Sequence, residues 1–233
     1  MHNDNVYRHE MKYLINKMDM DVVIGRLSEF AETDVHARDG KYFIRSLYFD
    51  DIYDTAYEEK ESGVERRCKY RIRTYDYDSN YICLEKKIKQ GSFVRKESAV
   101  LTGEEYELVR SGETGFLLKR SEKVANDFAL SWRTDRLRPV VIVDYDRVPF
   151  VFESGNVRIT FDMNIRAVPD NYDIFEKNVL SYDVMGPDIL IMEVKYTEYL
   201  PDIFRVILPD MNCRIAASKY VMSIDTLRRI MAK

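Results

Sequence analysis

Six segments of this sequence alternate with a period of two, and in each one face carries the charge. Residues two apart on a strand share a face. Arg8, Glu10 and Lys12 therefore lie together, as do Lys69, Arg71, Arg73 and Tyr75. Glu85, Lys87 and Lys89 share a face opposite Ile82, Leu84 and Ile88. Tyr145 joins Arg147; Arg158, Thr160 and Asp162 oppose Val157, Ile159 and Phe161; Glu193 and Lys195 oppose Leu190, Met192 and Val194. One such strand is an ordinary solvated face. Six that lean to Lys and Arg are not, because an ordinary surface intersperses both signs. Adding Lys96 and Lys219, the set holds 12 basic and four acidic side chains, against 24 basic and 36 acidic in the rest of the chain. Like charges crowded on one surface repel unless an anion compensates.

The chemistry of the set narrows the anion. Arginine forks fit phosphate oxygens bidentately and lysines supply point charges. The four carboxylates Glu10, Glu85, Asp162 and Glu193 suit Mg2+ or Mn2+, with phosphates completing the coordination shell. A basic surface with sparse carboxylates reads as a metal–polyanion site, and phosphoryl transfer is the reaction such a site favours.

Composition removes other classes. With 45% apolar and 33% charged residues the chain is foldable and globular. A net charge of −4 disfavours a globally basic nucleic-acid binder. Cys68, Cys83 and Cys213 form no CxxC pair, which indicates neither a disulfide framework nor a thiolate zinc site and points to a reduced, cytoplasmic compartment. His2, His9 and His36 are too few for a multi-histidine metal site; parity sets His9 opposite Arg8 and Glu10, and His36 falls in a polar loop. No apolar run reaches bilayer length and no signal peptide is visible. No Walker A loop, GxGxxG, HExxH or GxSxG motif occurs.

Strands are expected near 6–16, 42–50, 64–77, 80–90, 92–101, 138–150, 156–167 and 189–197, with hairpin turns at 90–92 and 154–156. Helices are expected near 20–32, 103–110, 114–131 and 217–231; the last has Val221, Ile224, Leu227 and Met231 at helical spacing and Ser218 as N-cap. No linker or repeat divides the chain, so residues 1–233 are read as a single domain of the α+β class, a barrel or sandwich. Asp50–Asp51 reads as turn capping rather than a metal pair, because adjacent strand residues face opposite ways.

The motifs Arg8-x-Glu10-x-Lys12-Tyr13, Ser46-Leu47-Tyr48-Phe49-Asp50, Lys69-x-Arg71-x-Arg73-x-Tyr75 and Leu84-Glu85-x-Lys87 follow one another in order. Tyr145-x-Arg147, Arg158-x-Thr160-x-Asp162, Glu193-x-Lys195-Tyr196 and Ser218-Lys219-Tyr220 continue the series. Together they resemble the catalytic domain of the vacuolar transporter chaperone (VTC) family, within the triphosphate tunnel metalloenzymes. The resemblance spans about residues 6 to 231. It implies an eight-stranded antiparallel β-barrel forming a tunnel, with flanking helices, a C-terminal helix and charged side chains in the lumen. It implies a polyphosphate polymerase, which transfers the γ-phosphoryl group of ATP to a growing inorganic polyphosphate chain and releases ADP, with Mn2+ or Mg2+. Carried over residue by residue, Lys12, Arg71, Arg73, Lys87, Tyr145, Arg147, Arg158, Ser218 and Lys219 are the expected phosphate contacts, and Lys69, Lys96 and Lys195 are added to them from the charged segments. Lys87, Arg147, Arg158 and Lys219 are the expected catalytic group and Glu193 is the metal ligand that the resemblance implies; Glu85, Glu10 and Asp162 join it as expected metal ligands on carboxylate chemistry, with Glu10 open to being a salt-bridge partner for the lumen arginines instead. Arg45 shares parity with Leu47 and Phe49 and is left out of the lumen.

One departure bears on the activity. The related CYTH triphosphatases and cyclases open with Glu-x-Glu-x-Lys, and here Arg8 takes the first glutamate position. That removes a metal ligand, adds a phosphate grip, and moves the reading from triphosphatase toward polymerase. The sensor domain and membrane helices of larger VTC complexes are not in this sequence, which leaves room for a separate membrane partner. Two other readings stay open. One is a tunnel hydrolase acting on triphosphate or a nucleoside triphosphate; the other is a module that binds polyphosphate without turnover. A sandwich with charged outer faces, or a nucleic-acid binder stacking bases on Tyr75 and Tyr77, would be the plainer alternative.

Overall fold

The computed structural model describes residues 6–37, 39–208 and 214–232. Cys213 and His2 lie outside the described residues.

Eight long strands form where the sequence is β-branched, aromatic and alternating. They are β1 (Arg8–Asn16), β3 (Tyr42–Asp50), β4 (Arg66–Tyr75), β5 (Ile82–Gln90), β6 (Phe93–Leu101), β7 (Arg138–Phe152), β8 (Val157–Val168) and β10 (Ile189–Tyr196). Two-residue strands β2 (Glu32–Thr33) and β9 (Tyr182–Asp183) add to the edges of β7 and β8. The long strands pair antiparallel in the order β7–β3–β4–β5–β6–β1–β10–β8, and β8 pairs back onto β7 to close the ring. Closure removes free sheet edges. The seam is β1–β6, with two registered pairs, Arg8 with Val94 and His9 with Phe93. Further along β1 the segment after residue 213 takes over that edge: Arg214 bridges Tyr13, and the Ile215 N–H donates to the Lys12 carbonyl at 2.9 Å.

Closing the ring decides which face of each strand is wet. The apolar face points outward and is covered by helices. Against β3 to β6 lie α3 (Gly103–Arg110) and α4 (Lys123–Thr134), with the Phe128 ring edge-on to Phe49 at 5.0 Å and to Tyr70 at 5.5 Å. Against β1, β8 and β10 lie α1 (Lys17–Leu27) and α5 (Ile203–Ile207), through Val23, Leu27, Phe204 and Ile207. The core is thus a shell between barrel and helices. The charged faces line the lumen, the reverse of a soluble barrel filled with aliphatic side chains.

The last helix, α6 (Lys219–Met231), sits differently. Tyr220, Val221, Ile224 and Leu227 pack on inward-facing Val141, Val143, Ile165, Ala167 and Ile191, so α6 plugs one end of the barrel with its first turn beside the lumen. Met231, counted in its apolar stripe, is 65% exposed because the last turn runs past the barrel.

Several boundaries correct the sequence reading. The helix expected at 20–32 begins at Lys17, where Asn16 caps it by accepting from the Asp19 N–H at 2.9 Å, and ends at Leu27 so that Glu32 and Thr33 can pair with β7. The helix expected at 114–131 is a 3₁₀ turn, Gly115–Lys119, followed by α4. Arg120 breaks it: its guanidinium holds Glu105 and Glu122 while its carbonyl accepts from the Asn126 amide. A helix absent from the expectation, α2 (Thr55–Glu61), has its first-turn N–H groups satisfied by Asp50 and Asp51. Both hairpin turns are present and need glycine. Gly91 has φ +56°, and Gly155 has φ +75° where a Cβ would lie 2.4 Å from the Tyr199 carbonyl oxygen. Among the described residues no helix is long and apolar enough to cross a membrane.

Candidate active site

Strand parity delivers most of the expected set into one space. Two cavities of about 80 and 70 Å3 share Lys12, Lys69, Lys87 and Ser218 in their walls and together trace the lumen. Each has room for about five water molecules. The inner one is lined by Arg71, Arg73, Tyr145, Arg147, Glu193, Lys195 and Lys219 as well. The outer one opens past Glu10, Lys60, Arg67 and Lys89. Lys96 and Arg158 point to the lumen from neighbouring positions: Lys96 reaches Glu85 at 3.0 Å, and Arg158 reaches Asp34 at 2.6 Å and the Tyr42 hydroxyl at 2.8 Å. Arg8 is half-buried at the start of β1, and Arg45 lies outside the barrel, bidentate on Asp144 at 2.8 and 2.7 Å.

Each lumen carboxylate is held by several cations. Asp162 receives a bidentate grip from its cross-strand neighbour Arg147, at 2.6 and 2.7 Å, and the Lys219 ammonium. Glu85 takes the Arg71 guanidinium at 2.6 Å and Lys96. Lys87 donates to both oxygens of Glu10, at 2.8 and 3.0 Å. Glu193 is ringed by Lys195 and Lys219, each at 2.8 Å, Lys12 at 3.4 Å and Arg147 at 3.9 Å. Burial opposes ionisation of Glu193, but Lys12, Lys195, Lys219 and Arg147 hold its carboxyl well below the usual range.

The cations are in excess, and the excess has an address. Lys69 has no carboxylate within 4 Å among the described residues; its ammonium donates to the Ser218 hydroxyl at 2.7 Å. Burial, with Lys87 and Lys12 beside it, pushes the Lys69 ammonium well below its ordinary pKa. Lys87 is pushed down to about 8, by burial first, despite Glu10. Ser218 stands at the N-cap position of α6, but its side chain makes no capping bond and instead accepts from Lys69. Tyr145 accepts from Arg73 at 2.9 Å, with Arg147 and Lys219 over its ring at 5.3 and 4.9 Å.

Among the described residues no group of three or more His, Cys, Asp or Glu side chains could hold a metal. Glu10 and Glu193, however, already share cations: the Lys195 ammonium lies 3.7 and 2.8 Å from them, and Lys12 lies 3.9 and 3.4 Å away. Two carboxylates with phosphate oxygens and water are an ordinary donor set for Mg2+. Glu85 and Asp162, also expected as ligands, have the Arg71 and Arg147 guanidinium groups on their oxygens.

Some lumen residues carried no charge signal. Tyr48 accepts from Arg71 at 3.1 Å, and Ser46 from Arg73 at 3.4 Å; their shared parity on β3 was the available sign. Burial raises the Tyr48 pKa, but Arg71 and Arg73 outweigh it and hold it below the ordinary value. Arg67 shares parity with Lys69 and could have been included. Lys60 comes from α2 and Asp34 from a loop, and neither has a periodic pattern to announce it.

A closed antiparallel ring with a cation-rich lumen and a helix at one end defines a tunnel fold. Solved structures share this fold. A provisional adenylyl cyclase from Hippeastrum, described as having a dominant triphosphatase activity, superposes with a TM-score of 0.56 at 12% identity, over 94% of this chain and 95% of that one. A provisional adenylate cyclase from Vibrio parahaemolyticus gives 0.51 at 12% identity, over 94% and 98%. Among curated proteins no match was found. The family model of the VTC domain matches residues 7–228, and the chain belongs to that family.

Proposed function

We propose that this chain is a metal-dependent polyphosphate polymerase that moves the γ-phosphoryl group of ATP onto a polyphosphate end and releases ADP. The observation that carries the reading is the length of the cation ladder. Arg67, Lys69, Arg71 and Arg73 follow one another along the inner face of β4. At the rise of a strand they cover about 20 Å, more than a triphosphate needs. The ladder continues to a basic opening at Lys60 and Lys89. A hydrolase of triphosphate has no use for cations beyond the third phosphate, whereas a growing chain needs them as it leaves.

In this reading Arg71, Arg73 and Arg147 hold the triphosphate, oriented by Glu85, Tyr145 and Asp162. Lys219 and the first turn of α6 stand where charge builds on the transferred group. The attacking oxygen belongs to a phosphate, already ionised, so no general base or covalent intermediate is required. Glu10 and Glu193 would hold Mn2+ or Mg2+, which would supply charge neutralisation for the phosphates. The partners are ATP and polyphosphate, with no nucleic acid and no insertion of this chain into a membrane; the proposed compartment is the cytoplasm, where a separate membrane protein could receive the product.

The second reading, a triphosphatase, draws on the activity described for the Hippeastrum neighbour. Incubation with ATP and Mn2+, followed by a polyphosphate-stained gel and an ADP assay, separates the two. A polymer ladder with ADP in step supports the polymerase, and ADP with free phosphate alone supports the hydrolase. Lys219→Ala is expected to lower polymer formation by about 100-fold or more.

A further inference from the structure

The two ends of the ring differ in chemistry. The opening at Lys60, Arg67, Lys69 and Lys89 has no aromatic ring among its described lining residues. The other end of the ring, where β3 starts, β4 ends and β5 starts, carries three tyrosines. Tyr75 lies 5.4 Å from Tyr42, edge-on, and 5.8 Å from Tyr81, tilted. Tyr75 continues the inward row of Arg71 and Arg73, and the Arg73 guanidinium sits 5.9 Å from its ring. Tyr81 is 43% exposed at the outside of this group. Arg158 is tied to the Tyr42 hydroxyl and to Asp34, so an arginine stands beside the aromatic cluster.

An inorganic phosphate chain has nothing for tyrosine faces to bind. A nucleoside triphosphate is anionic at one end and aromatic at the other, and base stacking on tyrosine tolerates any base. We propose that the tyrosine end of the barrel is a nucleoside port: the base rests against Tyr75 and Tyr81, Arg158 leaves Asp34 for the phosphate nearest the ribose, and the triphosphate points along the lumen toward Lys69. The tunnel is thereby polarised, with nucleotide loading at the tyrosine end and the phosphate chain at the lysine end. The inference rests on the tunnel reading above and adds the residues that distinguish a nucleotide from a bare polyanion.

Tyr81 is the residue to test, because it is exposed and its only ring partner among the described residues is Tyr75. Binding of an ATP analogue with a non-cleavable β–γ bridge and of inorganic tripolyphosphate would be measured by calorimetry on the full chain. Tyr81→Ala is expected to weaken the ATP analogue about tenfold and to leave tripolyphosphate within twofold, with Tyr81→Phe restoring the nucleotide affinity. Equal loss for both ligands, or no loss for either, would overturn the port while leaving the tunnel reading in place. Wild-type protein that binds neither ligand would overturn both.

Discussion

The lumen holds a set of ammonium and guanidinium groups that its carboxylates only partly neutralise, and the consequence is clearest at Lys87. Its ammonium is half-buried and its pKa is pushed down to about 8, so near that pH about half of the molecules carry it uncharged. A bound phosphate chain favours the charged form and raises the pKa again. Binding should therefore take up a fraction of a proton at pH 8, and affinity should fall as pH rises through 8. Titrating tripolyphosphate without metal, in buffers of different ionisation enthalpy, measures the uptake. Lys87→Arg should abolish that share of it, because a guanidinium stays charged. A variant with the same proton uptake as wild type would place the titrating group elsewhere. At this scale the sequence was informative wherever parity and charge coincided. Lys12, Lys69, Arg71, Arg73, Lys87, Tyr145, Arg147, Glu193, Lys195, Ser218 and Lys219 all line the two cavities. It placed Tyr48 and Ser46 in a motif but gave them no role, because their hydroxyls are ordinary on any strand until an arginine is seen to need them.

Between strands, turns and helix ends set the register that brings those side chains level. The β7–β8 connection is the sharpest case. Gly155 is left-handed, and its missing side chain makes room for the Tyr199 carbonyl, while the Thr197 N–H donates to the Gly155 carbonyl at 3.2 Å. Gly155→Ala forces a Cβ into that contact on a backbone that alanine disfavours, at a cost of about 1–3 kcal/mol. Urea unfolding should show the loss as a lower midpoint; an unchanged midpoint would mean the 197–201 segment moves aside freely. A second element-scale case is Asp50. Its carboxylate accepts from the N–H groups of Asp51, Ala56 and Tyr57 and from the Tyr220 hydroxyl at 2.6 Å, linking β3, α2 and α6. Asp50→Ala strands those donors in a buried site and should cost about 2–4 kcal/mol, read as a lower melting temperature. No periodic pattern encodes α2. Its seven residues lack an apolar stripe, and the carboxylates of Asp50 and Asp51 organise it instead.

Over the whole molecule, the unbound tunnel stores unfavourable electrostatics that a polyanion relieves. Buried ion pairs seldom stabilise a fold by themselves, and here cations outnumber carboxylates. A ligand that binds only the folded chain adds about 2.7 kcal/mol at a hundred times its dissociation constant. For a chain of this length that is about 5–10 °C in melting temperature. Tripolyphosphate should raise the transition by that order, and added salt should shrink the shift through screening. A shift that salt leaves intact would argue against a lumen dominated by charge. The sequence by itself determined the strands, their two faces and the residues that would share a polar side, because period two and side-chain chemistry are local properties. It could not decide whether that side faced water or a lumen, since an isolated strand has no inside. Ring closure through β7 and β8 decided it, turning six charged faces toward one axis and sending the apolar faces outward to the helices. The pairings inside the lumen, Arg147 with Asp162, Lys219 with Glu193 and Lys69 with Ser218, then followed from the β7–β8 register and from the seating of α6. Those are distances between residues 15 to 149 positions apart, and only tertiary structure sets them.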